Sequence, residues 1–373
     1  MENFKEKIAG LDWQVVAIAL ITKFLILFFS YQAFQVITNS PVNSWNDLFG
    51  IWRRWDAVHY LDIAQFGYTS VGERRFQLAF FPLYPLLVRI VSFIFGNYVV
   101  SGIIVSGIFS VTCGFLLKKL AALDYSKEVA LSSVWFLFIF PTSYFLHLPY
   151  TESLFLTLVI GAFYFARTKS WLLAGICGQL ACMTRINGLF LVFALLCEIY
   201  CEYRETKRFN REWLWLLLIP TGFLFYLIIN YSVTGDALSF LAYQKEHWSK
   251  SLDYPWKGIK ETLGSMFYRK PEESIMVGFQ ELFFVALGLA ATIYSWLKQR
   301  KSYAVWMTLN WLLFVSTSFL LSIPRYTLAL FPMFMIFAYL SEKNYSIKIL
   351  ITIWSILYLA LFTALFAAGH WAF

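Results

Sequence analysis

Apolar residues fall in long runs at about 13–37, 98–117, 129–146, 151–166, 213–231, 279–297, 303–321, 325–340 and 347–368, with a longer stretch over 171–200. Short cationic segments separate the runs. A run of about 20 apolar residues suits a helix crossing a hydrocarbon layer of roughly 30 Å, so the pattern predicts an all-α polytopic membrane protein. Lys118, Lys119, Arg167, Lys169, Arg204, Lys207, Lys298, Arg300, Lys301 and Lys343 all fall on the cytoplasmic side only if 171–200 crosses twice, bending near Arg185 and Gly188. Each half is then about 15 residues, short for a span, and a broken helix beside a protein-walled cavity is expected. The total is about eleven spans in one integral membrane domain. Residues 1–231 form a catalytic transmembrane module with an outer loop at 38–97, and 232–373 add a second outer loop and the C-terminal transmembrane helices.

Phe81 to Phe95 is read as a juxtamembrane helix of the first outer loop, because Pro82 and Pro85 fit a helix start and Arg89 can reach the interface. Lys5 and Lys7 ahead of the first run imitate a secretory leader, but the run is too long and lacks a small-x-small cleavage site, so an uncleaved first span is expected.

Composition sharpens this picture. The 373 residues are 60% hydrophobic and 14% charged, against about 25% charged in ordinary soluble domains. The formal net charge of +8 follows from cation retention in cytoplasmic loops, and no nucleic-acid partner is expected. Cys113, Cys177, Cys182, Cys197 and Cys201 lie in or beside apolar runs without a paired motif and are read as small core residues. No spacing of His, Cys, Asp or Glu calls for a metal, and no Gly-rich phosphate loop is present, so no cofactor is expected.

Carboxylates are scarce within the spans, where a proton- or sodium-coupled transporter would keep them. They collect at the outer surface instead. The densest cluster runs from Trp52 to Asp62. If Asp56 opens a helix, then Asp56, His59 and Tyr60 share a face, and a carboxylate at a helix N-terminus stays ionised and suits a general base. An interfacial helix with Trp anchors and an Asp cap fits the same spacing. Outer arginines oppose cation retention, and Arg185 and Arg325, each in a tight turn between apolar runs, need an anion. A phosphate held bidentately would serve, while headgroup contact accounts equally for Arg53, Arg54, Arg74 and Arg75. Glu152 reads either as a helix-starting cap or as a second acid facing the first loop.

WDAVHYLDIAQFGY at 55–68, AFFPLYP at 79–85, PYTESLF at 149–155, TRING at 184–188, TGDALSFLAYQKEHW at 234–248 and PRY at 324–326 together resemble the PIG-V type of mannosyltransferase and its prokaryotic relatives. The resemblance implies a GT-C glycosyltransferase fold and an inverting transfer of a sugar, expected to be mannose. It also implies a polyprenyl- or dolichyl-phosphate donor, a lipid-linked or glycan acceptor, and a site on the extracytoplasmic face of a prokaryotic cell membrane, or in the endoplasmic reticulum lumen of a eukaryote. Asp56 is then the catalytic base; His59, Arg185 and Arg325 hold the departing phosphate; Glu152 and Asp62 orient sugar or acceptor. Trp55, Tyr60, Asn187, Gln244 and Tyr326 lie in the matched motifs as further substrate contacts. The competing readings are a GT-C transferase for another sugar, a non-enzymatic lipid transporter or flippase, and a non-catalytic subunit.

Overall fold

The computed structural model of the chain describes residues 12–268, 270 and 275–372; Lys5 and Lys7 lie outside them. The described residues are helical throughout, apart from one isolated antiparallel bridge between Leu252 and Thr317. In chain order the α-helices are α1 (Trp13–Thr38), α2 (Trp45–Gly50), α3 (Asp56–Phe66), α4 (Leu83–Phe95), α5 (Tyr98–Ala121), α6 (Lys127–Ile139), α7 (Glu152–Arg167), α8 (Trp171–Cys182) and α9 (Phe190–Thr206). There follow α10 (Leu218–Thr234), α11 (Ser239–Trp248), α12 (Pro255–Ser265), α13 (Gln280–Lys298), α14 (Lys301–Val315), α15 (Ile323–Tyr326), α16 (Pro332–Lys343) and α17 (Tyr345–Ala368).

Helix starts follow side-chain capping. Asn97 accepts from the N–H groups of Val99 and Val100 at the head of α5, Ser126 from Val129 at α6, and Asn344 from Ser346 and Ile347 at α17. In membrane a backbone group without a partner is costly, so long apolar helices leave only their ends to be satisfied. The centre of the molecule is α7, buried continuously from Glu152 to Phe163 and packed against α5 and α8; beside it α6 packs on α16, whose residues Pro332–Ala338 are buried. Around it α1, α4, α10 and α17 turn large apolar side chains outward, among them Phe24, Phe28, Phe93, Ile228, Leu350 and Leu357. Helices apolar on the outside as well as the inside are solvated by lipid rather than water.

Among the described residues, six helices are long and apolar enough to cross a membrane, or up to eight if two bent pairs each count as one span; by length and composition a count of eleven is not confirmed. The shortfall has local causes. The apolar run 129–146 breaks where Pro141 forces Phe140 to ψ 145°, ending α6 at Ile139 after 13 residues. The run 303–321 stops being helical at Val315. Its continuation pairs with the loop before α12, Asp253 N donating to Ser316 O at 3.1 Å and Ser318 N to Ser251 O at 2.9 Å. Hydroxyl residues at 316–318 favour such non-helical bonding. The run 325–340 bends by 82° between Ile323–Ala329 and the Pro-led α16. The stretch 171–200 is broken where expected: α8 ends at Cys182, a 3-10 turn occupies Ile186–Leu189, and α9 follows. Gly188 makes that fold-back possible, since a Cβ there would stand 2.7 Å from the backbone of Ala181 and Cys182. The Leu83–Phe95 helix also appears as expected, led by Pro82.

α8 and α10 meet through small residues, Gly178 against Ile219 and Gly222 against the carbonyl of Gln179. Gly222→Leu is expected to lower the thermal unfolding midpoint in detergent by the equivalent of about 2 kcal/mol. Gly264→Ala, where a Cβ meets nothing within 4 Å, should leave it essentially unmoved. A midpoint insensitive to Gly222→Leu would contradict this packing.

Candidate active site

Four ionisable residues from distant parts of the chain converge. Asp56 is the first residue of α3 and Glu152 the first of α7; Arg185 sits in the break after α8, and Arg325 lies in the four-residue helix α15. Arg325 Nη1 donates to Asp56 Oδ2 at 2.5 Å, and its Nε donates to Glu152 Oε1 at 2.5 Å. Arg185 Nη1 donates to the same Glu152 oxygen at 2.9 Å. The side chains of Arg325 and Glu152 are each 2% exposed, Arg185 is 19% and Asp56 29%. The network is therefore closed behind Arg325 and open in front of Asp56. A guanidinium cannot shed its proton, so burial on this scale demands matched anions.

Each member is held by the fold around it. Asp56 follows Trp55, which takes φ 51°, ψ −128°, a backbone region costly for a side-chain-bearing residue and found where surroundings over-determine it. Those surroundings are a hydrogen bond from Tyr150 OH to Arg54 O at 2.9 Å, an edge contact between Trp55 and Trp371 at 4.8 Å, and Trp52 Nε1 donating to Ser30 Oγ at 2.8 Å. The turn leading to Glu152 passes so close to α5 that a Cβ on Gly102 would lie 2.8 Å from Pro149. From the other side Lys23 of α1, the one cation deep in a predicted span, donates to His147 O at 3.0 Å and Ile103 O at 2.9 Å. Leu83 N donates to Met183 O at 3.0 Å, tying the head of α4 to the break that carries Arg185. Arg325 also lies over the rings of Phe145 and Tyr150, at 4.8 and 4.7 Å.

Two atoms of this cluster have no protein partner: Glu152 Oε2 and Arg325 Nη2, both buried. His59, one turn along α3 from Asp56, stacks on Phe80 at 4.8 Å and keeps its Nδ1 buried and unpartnered. Burial lowers the pKa of this imidazole below its ordinary value, against the opposing pull of Asp56. It is thus neutral at pH 7 and offers a hydrogen bond rather than a charge. Tyr60, buried between Tyr84 and Tyr150, is pushed up to about 12 by burial and by Asp56, and remains a phenol.

Tyr326 joins the cluster through its ring, with the Arg185 guanidinium 5.6 Å and the Lys250 ammonium 5.0 Å from its centre. Lys250 was not suggested by sequence. It follows α11 in the second large loop, and its Nζ also reaches Leu321 O at 3.4 Å. Arg185 and Arg325 therefore pair with the two carboxylates, and Lys250 borders them at the Tyr326 ring. Other candidates lie apart. Asp62 pairs with Arg53 at 2.9 Å on the exposed side of α3; Asn187 turns to Asn310 at 2.7 Å; and Gln244 is exposed on α11. Trp55 borders the cluster at 37% exposure. α11 itself packs across the first loop: Arg75 pairs with Glu246 at 2.8 Å, and His247 lies 4.4 Å from Phe76, so Trp248 comes to the edge of His59 at 5.8 Å.

Comparison with known proteins places this geometry. ArnT from Cupriavidus metallidurans, in a structure bound to undecaprenyl phosphate, superposes with a TM-score of 0.54 at 13% identity, covering 88% of this chain and 59% of that one. The architecture is the GT-C fold. GPI mannosyltransferase 2 of Cryptococcus neoformans var. neoformans serotype D is 29% identical over 153 residues, 39% of this chain and 36% of that protein. The Schizosaccharomyces pombe protein of the same name is 28% identical over 153 residues, 40% of this chain and 32% of its own length. The chain thus spans about a third of the length of the curated relatives it matches. The sequence model described as Mannosyltransferase (PIG-V) matches residues 17–257, well over half the chain. Asp56, Glu152 and Arg185 fall within the matched span and Arg325 beyond it, and on the strength of that match the chain belongs to the PIG-V mannosyltransferase family.

Proposed function

We propose that the chain is an inverting glycosyltransferase that moves mannose from a polyprenyl-phosphate-linked donor to a hydroxyl of a lipid-linked or glycan acceptor on the extracytoplasmic face of the membrane. One observation carries this reading. A buried donor of Arg325 stands unpartnered beside the half-open carboxylate of Asp56. Such a place suits a phosphate oxygen, because fixed guanidinium donors in a low-dielectric site stabilise negative charge without reorganising.

In the proposed reaction the acceptor O–H gives its proton to Asp56 as its oxygen forms a bond to the anomeric carbon. The bond from that carbon to the phosphate oxygen breaks on the opposite face, and its electron pair leaves with the phosphate. Arg325, Arg185 and Lys250 take the charge that appears there, and the neutral imidazole of His59 contributes a hydrogen bond. Two of these groups are also the counterions of Glu152, so the site draws its positive charge from side chains and the reaction as written uses no cofactor. Glu152, with one oxygen unpartnered, is placed to orient a sugar hydroxyl. The isoprenoid tail would lie along α4, which turns Leu86, Ile90, Phe93 and Ile94 outward beside the break that carries Arg185. The family, and an ArnT neighbour bound to undecaprenyl phosphate, support a lipid-phosphate donor.

Asp56→Asn is expected to lower transfer from dolichyl-phosphate-mannose by about 10²–10⁴-fold, measured as radiolabelled mannose moved to membrane lipid by purified protein. A rate equal to wild type would remove Asp56 from the base role. Lys250→Ala is expected to weaken undecaprenyl phosphate binding about tenfold, the scale of one charged hydrogen bond, while the thermal midpoint holds. Unchanged affinity would clear Lys250 of phosphate contact.

A further inference from the structure

A second buried carboxylate touches the Arg325 turn from behind. Glu281, the second residue of α13, is fully buried. Its Oε1 accepts the backbone N–H of Ser322 at 2.7 Å, and its Oε2 accepts that of Ile323 at 2.7 Å. A pair of left- and right-handed residues in succession turns neighbouring backbone N–H groups toward one anion. Ser322 supplies the left-handed member, at φ 68°, ψ 21°. A serine there is strained unless its surroundings hold it.

The rest of the turn is tied down on the other side. Thr142 Oγ1 donates to Pro324 O at 3.0 Å, and Thr327 Oγ1 to Ile323 O at 2.8 Å. α13 is itself fixed, with Phe284 fully buried against the ring of Phe140 at 5.7 Å and Trp311 Nε1 donating to Val285 O at 2.9 Å. Only one residue, Pro324, separates the clamped Ile323 from Arg325. A shift of the turn therefore passes directly to the guanidinium and its contacts with Asp56 and Glu152.

We infer that Glu281 is a positioning residue for the transfer reaction, acting through Arg325 by fixing the backbone of Ser322 and Ile323. This assignment rests on the donor-phosphate reading of the cluster. A carboxylate is suited to the task because it offers an acceptor oxygen to each N–H; an amide offers only one.

The test compares Glu281→Gln in two backgrounds, wild type and Arg325→Ala, counting folded molecules by monodisperse elution and thermal midpoint. In the wild-type background kcat for transfer from dolichyl-phosphate-mannose should fall about 100-fold per folded molecule, the effect of a misplaced catalytic contact. In the Arg325→Ala background the same substitution should change it by less than about twofold, because the two residues act as one unit. Equal losses in both backgrounds, or no loss in the first, would overturn the assignment. Ser322→Gly, which takes the left-handed conformation without strain, is added to both backgrounds if Glu281→Gln reduces folded yield, and the same comparison decides. Retention of undecaprenyl phosphate by native mass spectrometry gives an independent readout. A wild-type chain that binds the lipid but transfers no mannose would count against the transferase reading, and Glu281 is then judged by whether Glu281→Gln weakens retention only where Arg325 is present. A wild-type chain that neither transfers nor binds overturns both.

Discussion

Arg325 carries a charge that cannot be neutralised, inside protein, at 2% exposure. Its two contacts, to Asp56 and Glu152, are thus a condition of folding as much as a feature of the site. Breaking such a buried pair strands a charge and costs several kcal/mol, roughly 3–5 when one partner is removed. The same requirement dictates where helices begin. Asp56 and Glu152 are first residues of α3 and α7, so each carboxylate sits at the positive end of a helix while facing the guanidinium. With the pairing in place the first loop, the head of α7, the break after α8 and the turn of α15 have one mutual arrangement.

The short helices belong to the same account. A continuous helix would carry Arg185 or Arg325 through the hydrocarbon with its backbone satisfied and its side chain pointing to lipid or to a neighbour. Stopping α8 at Cys182 and bending before α16 exposes backbone groups that must be bonded elsewhere, and they are. Leu83 N meets Met183 O, and Glu281 meets Ser322 and Ile323. Irregular backbone at this depth is tolerated where protein surrounds it. The bend before α16 and the presence of the site thus have one cause.

Much of this was legible beforehand. Arg185 and Arg325 stand out as cations in tight turns between apolar runs, and Asp56 and Glu152 as carboxylates at helix starts. Pro141, by contrast, ends α6 inside a run read as one span to residue 146. Membership of a motif was a poorer guide, because it ignores helical phase. Asp62 lies six residues after Asp56, about 240° around α3, and so faces Arg53 instead. Asn187 is two residues from Arg185, yet its amide turns into the core toward Asn310. Lys250 and Glu281 were not legible as site residues. Lys250 lies in a loop with no periodicity to orient it, and Glu281 reads as an ordinary carboxylate near a span end until the turn it holds is seen.

The residues of the cluster come from positions 56, 152, 185 and 325, so Arg325 is synthesised last of the four. During synthesis the segments bearing Glu152 and Asp56 emerge well before Arg325. Until it arrives, the carboxylate of Glu152 has only the partly exposed Arg185 to meet it. Protonation or retained water must bridge that interval. Assembly of the cluster therefore finishes with an electrostatic closure: the nascent bundle holds water at its heart until the segment bearing Arg325 inserts and displaces it.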